Sequence, residues 1–450
     1  MRGPAERIGI VGGGVLGMTL AHRLRAAGMR PTIIEAAAHT GGLADTQAIG
    51  DYRWDRFYHV ILLSDSHLIS LLGELGLTGR LRWGLTRTGF YTGTAFHSLS
   101  STLDFIRFPL LSFPDKARLA ATILHASRIK DWRPLESETV EAWLTRWSGK
   151  RTYQRLWLPL LRSKLGENVE RASAAFIWAI IARMYAARRS GLKQEMFGYV
   201  DGGYDTILQR LRSLLAEEGV ETICGSPVTR VSGFPGCAGV YLADGSRMEF
   251  DRVVLTVPCP RIRALCPDLL PAEQARLERV VYQGIVCPSL LLRRPLGGYY
   301  ITNITDARVP FTAVIEMTAL VDRERFGGHS LVYLPRYLTQ ESATWERSDA
   351  ELVGTYVEAL TRMYPDLKPS DVVAWQVGRA REVLALATVN YSQDALPATR
   401  TSMPHVYVVN GAQIAAGTLN VNESVALANR KAAELLTLLR TPGRIPASPV

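Results

Sequence analysis

The stretch that most constrains the fold runs from Arg7 to Leu43. A short apolar run at positions 8–11 leads into Gly12-Gly13-Gly14-Val15-Leu16-Gly17. Apolar residues at helical spacing follow as far as Gly28, which predicts a helix with a glycine stop. The next apolar run, Pro31-Thr32-Ile33-Ile34, predicts a second strand. A strand, a glycine turn, a helix and a second strand in this order predict the start of a parallel α/β sheet.

The spacing of the glycines has a specific physical meaning. Gly12 permits the tight turn, Gly14 lets a pyrophosphate approach the backbone, and Gly17 lets the helix pack closely on the strand. The first N–H groups of the helix present partial positive charge to phosphate oxygens. Glu35 ends the second strand, 23 residues after Gly12, where a carboxylate can accept hydrogen bonds from ribose hydroxyls. The sequence therefore predicts a dinucleotide site.

A second glycine pair distinguishes between dinucleotides. Gly41-Gly42-Leu43 follows Glu35 at the spacing acid-x5-Gly-Gly. Here the chain resembles the flavin amine oxidase superfamily, which includes protoporphyrinogen oxidases and phytoene desaturase-like enzymes and, more distantly, UDP-galactopyranose mutases. The resemblance implies that FAD is the cofactor and that the glycine pair lies along it. Many members have Arg after the pair, and Leu43 favours the desaturase-like and mutase-like branches.

Later segments resemble the same family in the same order. The resemblance implies that the backbone of Val228 contacts the adenine and that a closing motif around Gly411 reaches the flavin. Many relatives have Gly-Asp where this chain has Gly411-Ala412, so we expect Asn420, Asn422 or Glu423 to take over the contact of that acid. The predicted cofactor contacts are Gly12, Gly14, Val15, Leu16, Gly17, Glu35, Gly41, Gly42, Leu43, Val228, Gly411, Asn420 and Asn422.

The predicted fold class is α/β, a Rossmann-type FAD-binding domain of the GR2-like kind with an interleaved α+β substrate domain and a helical insert. No long Pro/Gly/Ser linker divides the 450 residues, so we expect the two domains to interrupt each other in sequence. We assign residues 1–95, 191–285 and 380–440 to the FAD-binding domain, and 96–190 and 286–379 to the substrate domain with the insert. Residues 441–450 are expected to be a disordered tail.

Two residues are candidates for positions near the flavin. The resemblance places the segment that contains His59 beside the flavin ring, and the alternative is a histidine that only hydrogen-bonds backbone there. Tyr300 stands on an apparent strand that can face a substrate, although most strand tyrosines are simply half-buried. No metal site is predicted, because the five cysteines form no CxxC pair and lie at no ligand spacing from histidines.

The helical insert permits two interpretations. Residues 103–131 alternate apolar side chains with Lys and Arg, as in a segment that lies in a membrane interface, and as in an ordinary helix pair. The net charge of +10 would attract an anionic partner, either phospholipid headgroups or a phosphorylated substrate. No nucleic-acid-binding signature accompanies it. The apolar segment Phe176 to Ala187 is either a core helix or the wall of a substrate tunnel.

We expect a cytoplasmic protein whose five cysteines are buried, reduced thiols. No signal peptide is predicted, because the first apolar run already belongs to the nucleotide-binding unit. The sequence leaves two questions open: whether the protein contacts the inner face of an anionic membrane, and what its oligomeric state is. No apolar run reaches the roughly 18 to 20 residues that span a bilayer.

The resemblance implies an FAD-dependent oxidoreductase, a dehydrogenase, desaturase or oxidase. Such an enzyme takes a hydride from a C–H or C–N bond of a small substrate to flavin N5. The apolar insert favours a hydrophobic, isoprenoid or lipid-like substrate. One alternative is an amine oxidase, but relatives of that kind often have a lysine in the substrate-domain strands near N5. Of the seven lysines only Lys193 lies between Gly191 and Pro365, and it is outside any strand context. Another is non-redox use of reduced flavin, as in the nucleotide-sugar mutases.

Overall fold

We describe the protein from a computed structural model, which covers residues 5–186, 195–417 and 420–440. The expected tail, 441–450, and Lys193 lie outside the described residues. The strands are β1 Arg7–Val11, β2 Arg30–Ile34, β3 Thr46–Ile49, β4 Tyr52–Asp55, β5 Ile61–Leu62, β6 Leu81–Thr86, β7 Thr88–Tyr91, β8 Phe96–Ser98, β9 Glu195–Val200, β10 Glu221–Ile223, β11 Val228–Phe234, β12 Cys237–Leu242, β13 Arg247–Phe250, β14 Arg252–Leu255, β15 Tyr282–Leu292, β16 Ile301–Ile304, β17 Ala313–Glu316, β18 Ser330–Tyr333, β19 Arg336–Leu338, β20 Val372–Ala385 and β21 Val406–Val408. The helices are α1 Val15–Ala26, α2 Ser66–Glu74, α3 Thr102–Arg107, α4 Phe113–Arg128, α5 Val140–Ser148, α6 Lys150–Thr152, α7 Leu158–Leu165, α8 Ala174–Ala186, α9 Gly203–Glu217, α10 Cys259–Leu265, α11 Pro271–Glu278, α12 Asp349–Met363, α13 Tyr391–Asp394 and α14 Val421–Arg440.

A parallel sheet contains the N-terminal glycine turn. Its strand order is β10-β2-β1-β14-β21, and each neighbouring pair is parallel. Strands from both ends and the middle of the chain therefore lie side by side. Helix α1 packs against α14, and both bury apolar faces on this sheet. This is the α/β architecture that the sequence predicts, since buried parallel strands need helical cover.

A second, larger sheet forms the other half of the molecule. Its order is β19-β15-β18-β17-β16-β7-β8, and β20 pairs with β15. All eleven residues of β15 are buried, which its nearly continuous apolar sequence explains. The division into two domains at the residue boundaries given above remains a prediction.

The helical insert packs on this second half. Helices α4, α5, α7 and α8 share one hydrophobic core, in which Phe176 and Ile177 of α8 are buried. Pro109 follows the end of α3, and Pro114 lies in the first turn of α4, where proline is well tolerated. Near its other end α8 places Met184 against a different cluster. The apolar helix is thus a core helix that contacts a second hydrophobic cluster as well.

That second cluster joins the two halves, and we call it the central apolar cluster. Its large buried side chains include Trp54, Phe57, Phe197, Tyr300 and Tyr333, and partly buried side chains at its margin include Leu43, Tyr58, Val60, Met184 and Tyr337. Some of these residues follow the glycine pair and others come from the large sheet. The cluster therefore connects the segment that follows the glycine pair with the large sheet.

Candidate functional site

The three predicted glycines of the N-terminal turn differ in their surroundings. Gly12 has a φ of +112°, in the region that favours glycine, and a methyl group on Gly17 would lie 2.1 Å from the Gly12 carbonyl oxygen. At Gly14, by contrast, the nearest atom to such a methyl group is the Cα atom of Gly42, 3.9 Å away. Gly12 and Gly17 therefore serve local packing, whereas Gly14 leaves the backbone open to a ligand.

The start of α1 also suits an anion. Gly14 is the N-cap of the helix, no side chain caps it, and its first turn contains no acidic residue. The N–H groups of the following turn, which Val15 and Leu16 begin, have no partner within the helix. Together with the open side of Gly14 they fit a pyrophosphate.

Glu35 is fixed beside this turn. One carboxylate oxygen accepts a hydrogen bond from the Gly13 N–H at 2.6 Å, and the other accepts one from Ala37 at 2.8 Å. Each carboxylate oxygen can accept a further hydrogen bond, so the group can also hold ribose hydroxyls. Its position fits the role that the sequence predicts.

The second glycine pair lies directly on the first glycine turn. The Gly41 N–H donates to the carbonyl oxygen of Gly13 at 2.9 Å, and a methyl group on Gly42 would come within 3.0 Å of the Gly14 Cα atom. Leu43 follows and packs at the margin of the central apolar cluster. The pair therefore connects the predicted phosphate site to the interior.

The closing motif is held by a residue that the sequence analysis missed, Asn410. Its buried amide accepts from the Ala412 N–H at 3.2 Å and donates to the Val257 carbonyl oxygen at 3.0 Å. Gly411 begins a short 3₁₀ turn immediately after it. An Asn between an apolar strand and a glycine turn is the sequence signal that could have identified it.

The two asparagines predicted as cofactor contacts lie at the start of α14. The Asn420 Oδ1 accepts from the Glu423 N–H at 3.0 Å. The Asn422 Oδ1 accepts from the N–H groups of His67 and Leu68 at 3.0 and 3.1 Å, which caps α2. Residues 418 and 419 of the motif lie outside the described residues. Contacts of both asparagines with the cofactor stay predictions.

Val228, the predicted adenine contact, is the first residue of β11. It is partly buried, and the pairing register of β11 with β12 shifts between Val228 and Arg230. Such a bulge bends the strand away from its partner and frees backbone groups. The position is compatible with a backbone contact to a ligand.

His59 lies against Tyr204, with ring centroids 4.8 Å apart. Its Nδ1 atom is buried and has no hydrogen-bond partner among the described residues. Burial lowers the pKa of His59 to about 4, and a backbone hydrogen bond at Phe57 opposes this only in part. The imidazole is therefore neutral at pH 7.

Tyr300 is buried in the central apolar cluster, edge-on to Phe197 with centroids 5.2 Å apart. Its hydroxyl is buried, and no described residue hydrogen-bonds it. Burial and then the nearby charge of Asp55 raise the pKa of Tyr300 far above its usual range. The group therefore stays protonated.

Asp55 links the two candidates, and the sequence analysis did not single it out. The Tyr204 N–H donates to its carboxylate at 2.8 Å, and the Tyr333 hydroxyl donates to its carbonyl oxygen at 2.6 Å. Burial raises the pKa of Asp55 to about 8, and the neighbouring Asp205 adds to this effect. Tyr204 thus contacts Asp55 through its backbone and His59 through its ring, which is tilted by 47° to the imidazole, while the Asp55 charge acts on Tyr300.

The residues present fit FAD. The open face of Gly14, the uncapped start of α1 and the carboxylate of Glu35 lie together, and the glycine pair leads from them to the central apolar cluster. Within residues 5–186, 195–417 and 420–440, no group of three His, Cys, Asp or Glu side chains has the arrangement of a metal site.

Comparison with known proteins places the chain in a family. A family model described as flavin containing amine oxidoreductase matches residues 17–434. Coproporphyrinogen III oxidase of Mycobacterium leprae is 27% identical over 295 residues, which are 60% of this chain and 64% of that protein. The 15-cis-phytoene desaturase of Capsicum annuum is 22% identical over 389 residues, which are 79% of this chain and 64% of that protein.

A solved structure shows the same fold. Reduced UDP-galactopyranose mutase superposes with a TM-score of 0.72 at 15% identity, covering 97% of this chain and 95% of that one. The chain thus spans less than two thirds of the two curated relatives but nearly all of this fold. The resemblance predicted from the sequence, the fold class and FAD as the cofactor are confirmed. The protein belongs to the flavin containing amine oxidoreductase family.

Proposed function

We propose that the protein is an FAD-dependent oxidoreductase that oxidises a C–H or C–N bond of a small, hydrophobic substrate of the isoprenoid or lipid type. The observation that supports this most is the margin of the central apolar cluster. Leu43, Tyr58, Val60, Met184 and Tyr337 are partly buried there, and Leu43 directly follows the glycine pair. Apolar and aromatic side chains with a few polar groups are typical of a binding site for an apolar ligand.

Bound FAD supplies the hydride acceptor, its N5 atom. The chain's own residues have to bind the substrate, orient it and exclude water. In this proposal His59 acts as a neutral imidazole at pH 7 and not as a charged proton relay. The hydroxyls of Tyr58 and Tyr337 are 2.8 Å apart and can position a polar substituent.

The cofactor contacts predicted from the sequence are part of the proposal. Gly12, Gly14, Val15, Leu16, Gly17 and Glu35 would hold the pyrophosphate and ribose, Gly41, Gly42 and Leu43 would lie along the cofactor, Val228 would meet the adenine, and Gly411, Asn420 and Asn422 would lie near the flavin. His59 and Tyr300 are proposed to shape the space beside the flavin. Their neutral states suit a positioning role.

An anaerobic titration tests the proposed oxidation. The flavin spectrum of the purified protein is followed as lipid extracts, amines and nucleotide sugars are added in separate experiments. We expect bleaching by a component of the lipid extract. Bleaching by amines alone would replace the proposal with an amine oxidase.

The second candidate is a non-redox reaction of a nucleotide sugar, which the similarity of fold to UDP-galactopyranose mutase motivates. In that case no class of compound bleaches the flavin. The dithionite-reduced protein would then rearrange a nucleotide sugar, and product analysis by chromatography detects this.

We also propose a peripheral contact with an anionic membrane, at the tip of the insert formed by Leu103, Ile106 and Phe113. These side chains are 53%, 49% and 74% exposed. Asp104 and Asp115 are engaged in the capping boxes of α3 and α4, and the exposed Arg107, next to Ile106 in sequence, can face an anionic surface. Among the described residues, no helix combines the length and the apolar character that crossing a bilayer requires.

Sedimentation with lipid vesicles tests this contact. We expect binding to phosphatidylglycerol vesicles but not to phosphatidylcholine vesicles, and weaker binding of the variant with Ile106→Ser and Phe113→Ser. Leu270→Ser is the matched control, because Leu270 is 58% exposed and lies on another part of the chain. Equal binding of the double variant would refute the proposed surface. We also propose a cytoplasmic location, in which the five cysteines, all free in the structure, stay reduced.

A further inference from the structure

A lysine of the insert points into the second half of the molecule. Lys164 lies at the end of α7, and its Nζ atom is 5.5 Å from the centroid of the Tyr337 ring. The residue is partly buried. Among the described residues, no carboxylate lies within salt-bridge distance of Lys164. A cation that is withdrawn from water without a carboxylate partner is costly, and it calls for an explanation.

Contacts connect Lys164 to the proposed substrate space. The hydroxyl of Tyr337 lies 2.8 Å from that of Tyr58, and Tyr58 is the direct neighbour of His59 in sequence. Both tyrosines lie at the margin of the central apolar cluster, where Leu43 continues the glycine pair. The ammonium group thus lies one ring away from a polar pair at the margin of that space.

Of the charged groups near Lys164 in the described part of the chain, none is a carboxylate that pairs with it, and its ammonium group contacts the Tyr337 ring. The pKa of Lys164 is lowered to about 8, mainly by burial and to a smaller extent by the positive charge of the nearby Arg183. Arg183 itself already has a carboxylate partner, Asp65, at 3.1 Å. At neutral pH Lys164 therefore remains mostly protonated and carries one positive charge.

We propose that Lys164 binds a carboxylate of the substrate, whose apolar body lies against the tyrosines and the central apolar cluster. This inference rests on the proposed function and narrows its substrate class to amphipathic carboxylates. One ammonium group matches one negative charge, and a phosphate dianion would retain uncompensated charge in a partly apolar site. An alkylammonium substrate would be repelled by Lys164, which argues against amines.

Spectral titration of the oxidised holoprotein tests this inference. Decanoate, decanol and decylamine are added separately, and the perturbation of the flavin absorption gives each dissociation constant. We expect the wild type to bind decanoate at least about tenfold more tightly than decanol, which corresponds to about 1.4 kcal/mol. Lys164→Met should abolish this preference with little effect on decanol, and Lys164→Arg should retain it.

Lys130→Met is the matched control, since Lys130 is an exposed lysine beyond the end of α4. It should bind all three compounds as the wild type does. Flavin content establishes that each variant is folded. Decanoate binding that is absent from the wild type, unchanged in Lys164→Met, or no tighter than decylamine binding would overturn the inference.

The titration involves no turnover and therefore separates this inference from the proposed oxidation. A decanoate preference that depends on Lys164 would stand even if no compound bleached the flavin. That second result would refute only the proposed oxidation.

Discussion

The backbone N–H of Tyr204 donates a hydrogen bond to the carboxylate of Asp55 over 2.8 Å, which joins the start of α9 to the end of β4. Despite this hydrogen bond, burial keeps the pKa of Asp55 at about 8, well above its usual value of 3.8. Between these two pH values the Asp55 carboxyl is protonated in the folded protein but ionised in the unfolded chain.

Asp55 should therefore make the fold less stable as pH rises. The folded pKa exceeds the unfolded one, so the folded state holds the extra proton and loses its advantage between pH 4 and pH 8. We expect the wild type to lose on the order of 5 kcal/mol of stability between pH 4 and pH 8, and Asp55→Asn to lack this loss. Denaturant unfolding at both pH values measures this. The same pH dependence in both proteins would contradict the pKa of Asp55.

His59 should have the opposite pH dependence. Its folded pKa of about 4 lies below the usual 6.5, so the unfolded chain takes up the proton first and stability falls as pH drops from 6.5 to 4. We expect His59→Phe to remove about 2 kcal/mol of this acid sensitivity. The free energy of unfolding at pH 7 and pH 4.5 is the measurement, with His97→Phe as a control for histidine removal.

The glycine turn permits a test that separates folding from cofactor binding. Gly17→Ala brings a methyl group onto the Gly12 carbonyl, which should cost about 3 kcal/mol or more and prevent accumulation of folded protein. Gly14→Ala finds space in the protein but occupies the open side of the turn, so it should fold and contain little FAD. Flavin content and circular dichroism distinguish the two.

Gly73→Ala serves as the control for these glycine variants. Gly73 lies within α2, and the nearest atom to an added methyl group is 3.9 Å away. It should therefore stabilise the protein by about 1 kcal/mol and retain FAD, because alanine is the better helix former. Full FAD content in Gly14→Ala would show that the phosphate lies elsewhere.

Asn422 should contribute to stability through a helix that is remote in sequence. Its Oδ1 caps α2 at His67 and Leu68, so Asn422→Ala should cost about 1 kcal/mol. Asn422→Asp keeps the acceptor and should recover part of the loss. Denaturant unfolding measures both, and FAD content shows whether the side chain also contacts the cofactor. An unchanged stability of Asn422→Ala would contradict the capping role.

The N-terminal half of the site could be predicted from the sequence because its chemistry is local. The turn around Gly12, the helix start and Glu35 lie within one strand-turn-helix-strand unit, and glycine spacing encodes both the turn and the open backbone. The same spacing, with the second glycine pair, identified the family and its cofactor.

Only the tertiary structure could decide which distant side chains meet. Asn422 caps a helix more than 350 positions earlier, and Asn410 ties its turn to the carbonyl group of Val257. Lys164 belongs to a helix, and it reaches Tyr337 through packing of the insert on the large sheet. Sequence patterns encode periodicity and local turns, whereas the burial that shifts the pKa values of Asp55, His59 and Lys164 arises when separate segments exclude water from one another.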